Sequence, residues 1–235
     1  MYPDLLADRL PRTLDAIARA AESAGRDPAE VTLVAVTKGH PVGAVRAALG
    51  AGMRDLGENR VSELEAKARE MGADCGVRWH MIGHLQSRKA PRVVGITHLV
   101  HSVDRASVAD RLGRAAEASG GVVDVLIQVN TSGEDAKGGV PWEGAEEETL
   151  ALAETPGLRV RGLMTMAPFV EDEAVLRRTF RRLRELSEAV RGHKSEVGGI
   201  LSMGMTNDLE LAVEEGSTMV RVGTALFGPR PGAGD

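Results

Sequence analysis

The sequence has a single cysteine, Cys75, in 235 residues. One thiol excludes an intrachain disulfide and a cysteine-rich zinc site. It has no excess of basic residues either. Its 29 Lys and Arg against 34 Asp and Glu leave a formal charge of −5, which argues against general binding to nucleic acid or to an anionic membrane. No stretch approaches the roughly 20 apolar residues of a membrane span. The opening MYPDLLADRLPR mixes acids and bases without a continuous apolar run, so it does not read as a secretory signal. No Ser- or Gly-rich linker is long enough to join two domains. What these absences leave is the expectation of one cytoplasmic globular domain, with no nucleic-acid or membrane partner. The length suits a single α/β barrel, for which about 250 residues is typical.

The stretch that organises the rest is Val31–Lys38, VTLVAVTK, almost all apolar or β-branched and too short for a helix. Such a run reads as a strand buried on both faces, as in a parallel sheet covered by helices. It ends in Lys38, followed by the Gly39-His40-Pro41 break. A lysine at the carboxyl end of a buried parallel strand stands at the mouth of an α/β fold, where ligands bind. Taken alone, Lys38 is equally well explained as a side chain reaching solvent from a strand end.

Ahead of it, residues 3–24 read as an amphipathic helix with Leu6, Leu10, Leu14, Ile17 and Ala21 on one face, Pro11 starting or kinking it, and Gly25 stopping it. After Lys38 the pattern repeats: MRDLGEN, VRWHMIGHLQ, THLVHSVD, VVDVLIQVNTS, LRVRGLMTMAP, GGILSMGMTN and TMVRVGTALFG read as strands. Helical stretches or short turns lie between them, among them Arg60–Met71, Arg105–Ser119, Trp142–Glu154 and Glu171–Arg191. Eight strands alternating with helices predict right-handed βαβ units closing into a (β/α)8 barrel. An open doubly wound sheet is the alternative, weakened by the missing GxGxxG after the first strand. The domain expected is 1–235, with 1–30 an N-terminal helix and lead-in and 229–235 a flexible tail.

In a barrel, a phosphate often sits by the loops after strands seven and eight. Here these are Ser202-Met203-Gly204-Met205-Thr206 and Gly223-Thr224, both combining hydroxyls with glycine. Each alone is an ordinary turn; at these two strands together they favour an anion pocket. Arg221 lies two residues before Gly223, on the same side of an apolar strand; it either faces outward into a helix interface or salt bridge, or, planted in the barrel beside a phosphate loop, needs an acceptor. A carboxylate or a ring nitrogen would serve.

Three further signals carry less. His80 and His84 stand four apart but lack the glutamate of HExxH, and His84 is expected to shape the barrel mouth. Lys137 lies in a Gly-rich loop without GK[ST], so the loop is no Walker motif, and Lys137 reads first as a solvated loop lysine, with a second amine near the mouth the lesser alternative. The arginines at 177, 178, 181, 182 and 184 share a helix whose Leu176, Phe180, Leu183 and Val190 face a core, so they read as its solvated side.

VAVTK, LGENRVSE, WHMIGHLQSRK, VHSVD, NTSGEDAKGG, GLMTMAP, LSMGMTNDLE and STMVRVGTALFG, in this order from Val31 to Gly228, resemble the motifs of the pyridoxal phosphate homeostasis protein family. The resemblance implies the single barrel related to the N-terminal domain of alanine racemase, with pyridoxal 5′-phosphate (PLP) held as an imine. It makes Lys38 the imine-forming amine and Arg221 the partner of the pyridine nitrogen. Ser202, Gly223 and Thr224 would hold the phosphate, Met203 and Gly204 would supply backbone beside it, and Asn59 would help place the ring. Gly39-His40 and Thr206 depart from the family's usual residues at the rim. The implied role is storage, buffering or delivery of PLP, with apo-PLP enzymes as recipients and no catalysis of its own. The chain is expected to be a monomer. A PLP-dependent amino-acid racemase and a Schiff-base aldolase acting on a phosphorylated aldehyde remain as alternatives.

Overall fold

Each expected strand forms, and the eight close on one another in parallel. In the computed structural model, which describes residues 1–134 and 137–231, they are β1 (Thr32–Val36), β2 (Asp55–Glu58), β3 (Arg78–Met81), β4 (Leu99–Val103), β5 (Val123–Asn130), β6 (Leu158–Met164), β7 (Ile200–Ser202) and β8 (Met219–Val222). β1 sits between β2 and β8, and pairing of β4 with β5 closes the ring. The fold is a (β/α)8 barrel with an additional N-terminal helix.

That helix, α1 (Tyr2–Ser23), runs unbroken through Pro11. It buries Leu6, Ile17 and Ala21, while Leu14, expected on the same face, is 47% exposed. α1 packs against α2 (Val42–Gly50) and against two late helices introduced below, so it straps the outside of the barrel where first and last strands meet. The further helices are α3 (Val61–Met71), α4 (Ala106–Ala118), α5 (Ala145–Ala153), α6 (Glu173–His193), α7 (Leu209–Glu214) and the one-turn α8 (Thr224–Phe227). Between β3 and β4 there is only the tight 3-10 turn Ser87–Val93; Pro91 inside it removes a backbone donor and works against a regular α-helix. α6 begins where the Asp172 carboxylate accepts from the Ala174 and Val175 amides, as an N-cap should.

The chain adds a strand that was not expected. Val140–Pro141 forms a two-residue strand on the end of β5, inside what reads in sequence as a loop. Cys75 sits half-buried in a 3-10 turn, Ala73–Cys75. Part of the expected tail, 232–235, lies outside the described residues. Among the described residues, no helix is long and apolar enough to cross a membrane.

Two sets of apolar residues fill the fold. The larger lies between strands and helices. A smaller set, Val34, Leu99, Leu126, Met164 and Met219, comes from five different strands and packs inside the ring. Strand alternation carries this inward face upward on β1 from Val34 through Val36 to Lys38. Gly162 shows how tightly β6 meets β7: at φ +145°, a Cβ there would lie 2.0 Å from the Ile200 carbonyl oxygen.

Candidate functional site

A cavity of about 640 Å³ opens at the carboxyl ends of the strands. Of the residues singled out in sequence, Lys38, Asn59, Arg221, Gly223 and Thr224 line it. Ser202, Met203 and Gly204 lie buried beneath it, outside its lining. His84 and Lys137 are on its rim, and so is Phe169, which is 88% exposed.

Lys38 is half-buried. Burial lowers the pKa of its ammonium, and the positive charges of Arg230 and Arg221 push the same way; Glu58 opposes them. A lowered pKa frees more neutral amine at neutral pH, the form that attacks a carbonyl. The backbone on both sides of Lys38 is pinned. Lys67 from α3 donates to the Thr37 carbonyl at 2.8 Å, Thr37 Oγ1 donates to Glu58 Oε1 at 2.5 Å, and the Gly39 amide donates to Glu63 Oε1 at 2.6 Å. Lys67 also binds Glu58 at 2.7 Å and Glu63 at 3.0 Å, so its three donors have three acceptors. Gly39 takes φ +72° with the Arg230 stem against it, at 2.7 Å from where a Cβ would be. A side chain at this turn would be strained and would displace Arg230.

Arg221 is buried inside β8. Burial pulls its guanidinium down to about 10, opposed by Asp208, so it stays cationic at neutral pH. Its Nη1 donates to Ser202 Oγ at 2.6 Å and its Nη2 to the Thr165 carbonyl at 3.0 Å. With two of five donors engaged, it can still donate into the cavity it lines.

The two glycine-containing loops differ in what they leave free. Met203 N–H donates to the Met219 carbonyl, and the Gly204 carbonyl accepts from the Arg221 amide, so both knit β7 to β8. Gly204, at φ +97°, is required for packing: a Cβ would lie 2.7 Å from Ala212 in α7. The Met205 amide is taken by Asp208 Oδ1 at 2.5 Å. At the second loop, Gly223 precedes α8, which no side chain caps, and Thr224 is exposed to the cavity. First-turn N–H groups of a helix have no partner within it, so this loop has donors to spare. Asn59 is held from below, because Gly83 packs on its backbone, a Cβ on Gly83 falling 2.2 Å from the Asn59 oxygen.

The set-aside signals resolve in structural terms. His80 is wholly buried in the barrel while His84 is on the rim, facing Asp104 at 3.6 Å. No cluster of three metal-ligating side chains occurs among the described residues. Arg177, Arg181 and Arg184 all reach Glu215, and Arg182 stacks on Trp142 at 5.1 Å, so this face is ion-paired as well as solvated.

Sequence reasoning missed Asp55, Glu58, Lys67 and His101, and named His80 without this role. All five are less than 10% exposed and bear on Lys38 or Arg221. A signal existed for some of them: charged residues or histidines within apolar strand patterns have to find partners.

Residues 13–231 match the model of the alanine racemase N-terminal domain family. A pyridoxal phosphate homeostasis protein of Aquifex aeolicus is 41% identical over 223 residues, covering 95% of this chain and 97% of its own. The protein of that name from Escherichia coli K12 is 42% identical over 230 residues, covering 96% and 97%. The chain belongs to the pyridoxal phosphate homeostasis protein family. Among solved structures, PipY of Synechococcus elongatus PCC7942, with PLP bound, superposes with a TM-score of 0.79 at 35% identity, covering 91% of this chain and all, 100%, of that one. An alanine racemase of Clostridium difficile 630 shares the fold at a TM-score of 0.74 and 14% identity, with 96% of this chain matching 57% of that one. The homeostasis family thus uses the racemase barrel.

Proposed function

We propose that this chain binds PLP through Lys38 and serves intracellular homeostasis of the cofactor by storing, buffering or delivering it. The observation that carries this reading is convergence. An amine with a lowered pKa, a fixed guanidinium and an uncapped glycine-hydroxyl turn open onto one cavity. An aldehyde, an aromatic nitrogen and a phosphate are the groups these three would hold. The cofactor-bound structure of the 35%-identical relative supports it.

In this reading the Lys38 amine condenses with the aldehyde, and one water leaves as the C=N bond forms. Arg221 donates toward the ring nitrogen. Gly223 and Thr224 take the phosphate, with Ser202, Met203 and Gly204 forming the floor behind it, and Asn59 bears on the ring. PLP bound in this way supplies a ring able to take up electrons, but a guanidinium can only donate, which disfavours protonation of the ring nitrogen and blunts that capacity. We therefore read the protein as a carrier with apo-PLP enzymes as its recipients. We also read it as a cytoplasmic monomer. Its exposed large apolar side chains, Met1, Leu14, Val122, Phe169 and Val170, fall on separate segments apart from the last two.

The test is a titration of cofactor-free protein with PLP and, separately, with unphosphorylated pyridoxal, followed by visible absorption. A new visible band at stoichiometric PLP, with much weaker binding of pyridoxal, is expected. A Thr224→Ala variant should lose up to about 1.5–3 kcal/mol of PLP affinity, the worth of a hydrogen bond to a charged group. Absence of a band, or equal binding of the two compounds, would contradict the proposal or its phosphate anchor respectively.

A further inference from the structure

Five side chains from five strands make an unbroken hydrogen-bonded line through the barrel. Asp55 Oδ1 on β2 meets His80 Nε2 on β3 at 3.0 Å, and His80 Nδ1 meets His101 Nε2 on β4 at 2.9 Å. His101 Nδ1 crosses to Ser202 Oγ on β7 at 2.9 Å, and Arg221 Nη1 on β8 reaches the same oxygen at 2.6 Å. His80, His101 and Ser202 are 0% exposed. The line starts at the opposite end of the barrel from the cavity, where Arg78 binds both oxygens of Asp55. Buried polar groups cost stability unless every member is satisfied. Here each is.

The two ends determine its direction. An ionised carboxylate only accepts and a guanidinium only donates. Burial pushes the Asp55 carboxyl up, but hydrogen bonds from His80 and Arg78 outweigh it and hold the carboxyl well below its ordinary range, so Asp55 is ionised. His80 must then carry its proton on Nε2, leaving Nδ1 to accept from His101 Nε2. That leaves His101 Nδ1 to accept the Ser202 hydroxyl proton, and Ser202 Oγ to accept from Arg221. The reverse order would set an imidazole lone pair against a carboxylate and leave the serine proton without an acceptor. Burial disfavours the cationic form of both rings; at His80 the Asp55 carboxylate opposes it while His98 and Arg78 add to it, and at His101 the neighbouring His80, Arg221 and His98 all add to it.

We infer that Asp55, His80 and His101 are positioning residues for Arg221: they lock Ser202 as an acceptor and so aim the guanidinium at the cofactor's ring nitrogen. Only the last step rests on the proposed binding of PLP. With its hydroxyl proton committed to His101, Ser202 acts on the cofactor through Arg221.

Two measurements test this. In the cofactor-free chain, ¹⁵N NMR of the imidazoles at neutral pH should find His80 and His101 neutral and protonated on Nε2. An Nδ1-protonated or cationic ring at either position would overturn the direction of the line, whatever the protein binds. In the second, His101→Gln keeps an acceptor toward Ser202 and a donor toward His80, whereas His101→Leu has similar bulk and neither. The Gln variant should keep the affinity for PLP and the visible band. The Leu variant, shown folded by its thermal transition, should bind at least about tenfold more weakly, as when one charge-assisted hydrogen bond is misplaced, and with a displaced band. Wild-type affinity and band in the Leu variant, or equal impairment of both, would overturn the positioning role. If the Leu variant does not fold, impairment of the Gln variant and the imidazole tautomers still decide it. Loss of the band in the wild type itself would count against PLP binding alone.

Discussion

The Lys67 ammonium lies 2.8 Å from the carbonyl oxygen of Thr37, the residue before Lys38. With Glu63 holding the amide of Gly39, the residue after it, α3 grips both flanks of the lysine while leaving its side chain to the cavity. The grip depends on a buried ion pair: the side chains of Lys67 and Glu58 are 7% and 0% exposed.

Removing one partner of that pair should be costly. Lys67→Met leaves Glu58 buried without its countercharge and should destabilise the fold by about 3–5 kcal/mol. The double change Glu58→Gln with Lys67→Met should recover much of the loss. Denaturant midpoints of the three proteins check this, and a single variant as stable as wild type would remove the pair from the account.

Stability should also depend on pH through the interior histidines. Burial lowers the His101 pKa well below its ordinary 6.5, and that of His80 as well. The unfolded chain therefore takes up protons below about pH 6.5 that the folded chain excludes, so stability is full above that pH and falls as pH drops from it toward the folded values. Each excluded proton is worth about 1.4 kcal/mol per pH unit. Glu58 and Asp208, whose carboxyls are raised by burial, act in the opposite sense, so the informative quantity is the difference between wild type and His101→Gln. The variant should lose less stability between pH 7 and pH 5. Parallel curves would contradict this.

The barrel was legible because its strands are continuous apolar runs and its helices keep one apolar face. Lys38, Arg221, Gly223 and Thr224 each had an ordinary structural explanation taken alone; it was their common position at the carboxyl ends of strands that placed them around one cavity. The support beneath them was not legible. Glu58 and Asp55 point to opposite faces of β2, one to α3 and one into the barrel, and a four-residue strand has no periodicity that says which. Lys67 sits in a charged helix where nothing in the spacing marks the one lysine that is buried. Val140–Pro141 pairs with β5 only because the loop returns, a tertiary event two residues cannot announce.

Gly83 carries a steric prediction at the mouth. A Cβ there would fall 2.2 Å from the Asn59 oxygen and 2.7 Å from its Cα, both backbone atoms. Gly83→Ala should cost about 1–3 kcal/mol through forced displacement, and it should weaken PLP binding by moving Asn59. Unchanged melting and unchanged affinity would show that the loop yields freely.

Turnover of amino acids should be absent. A two-base racemisation needs an acid–base group on the face opposite the lysine. The chain's only tyrosine, Tyr2, is buried outside the cavity with its hydroxyl on His40 Nδ1 at 3.2 Å. His84 is on the rim and is the residue an enzyme reading would invoke. The α-proton exchange of amino acids in deuterated water, with protein saturated in PLP, should run no faster than with free PLP. Rates of about 1–1,000 per second, lost in Lys38→Ala, would mark an enzyme.

The central claim is that Lys38 is the residue that holds PLP, and borohydride reduction followed by peptide mapping addresses it most directly. Reduction of the PLP-loaded protein should fix the cofactor irreversibly to the peptide containing Lys38, and Lys38→Ala should carry no adduct at that position. An adduct found only at Lys137, the other lysine lining the cavity, would contradict the account.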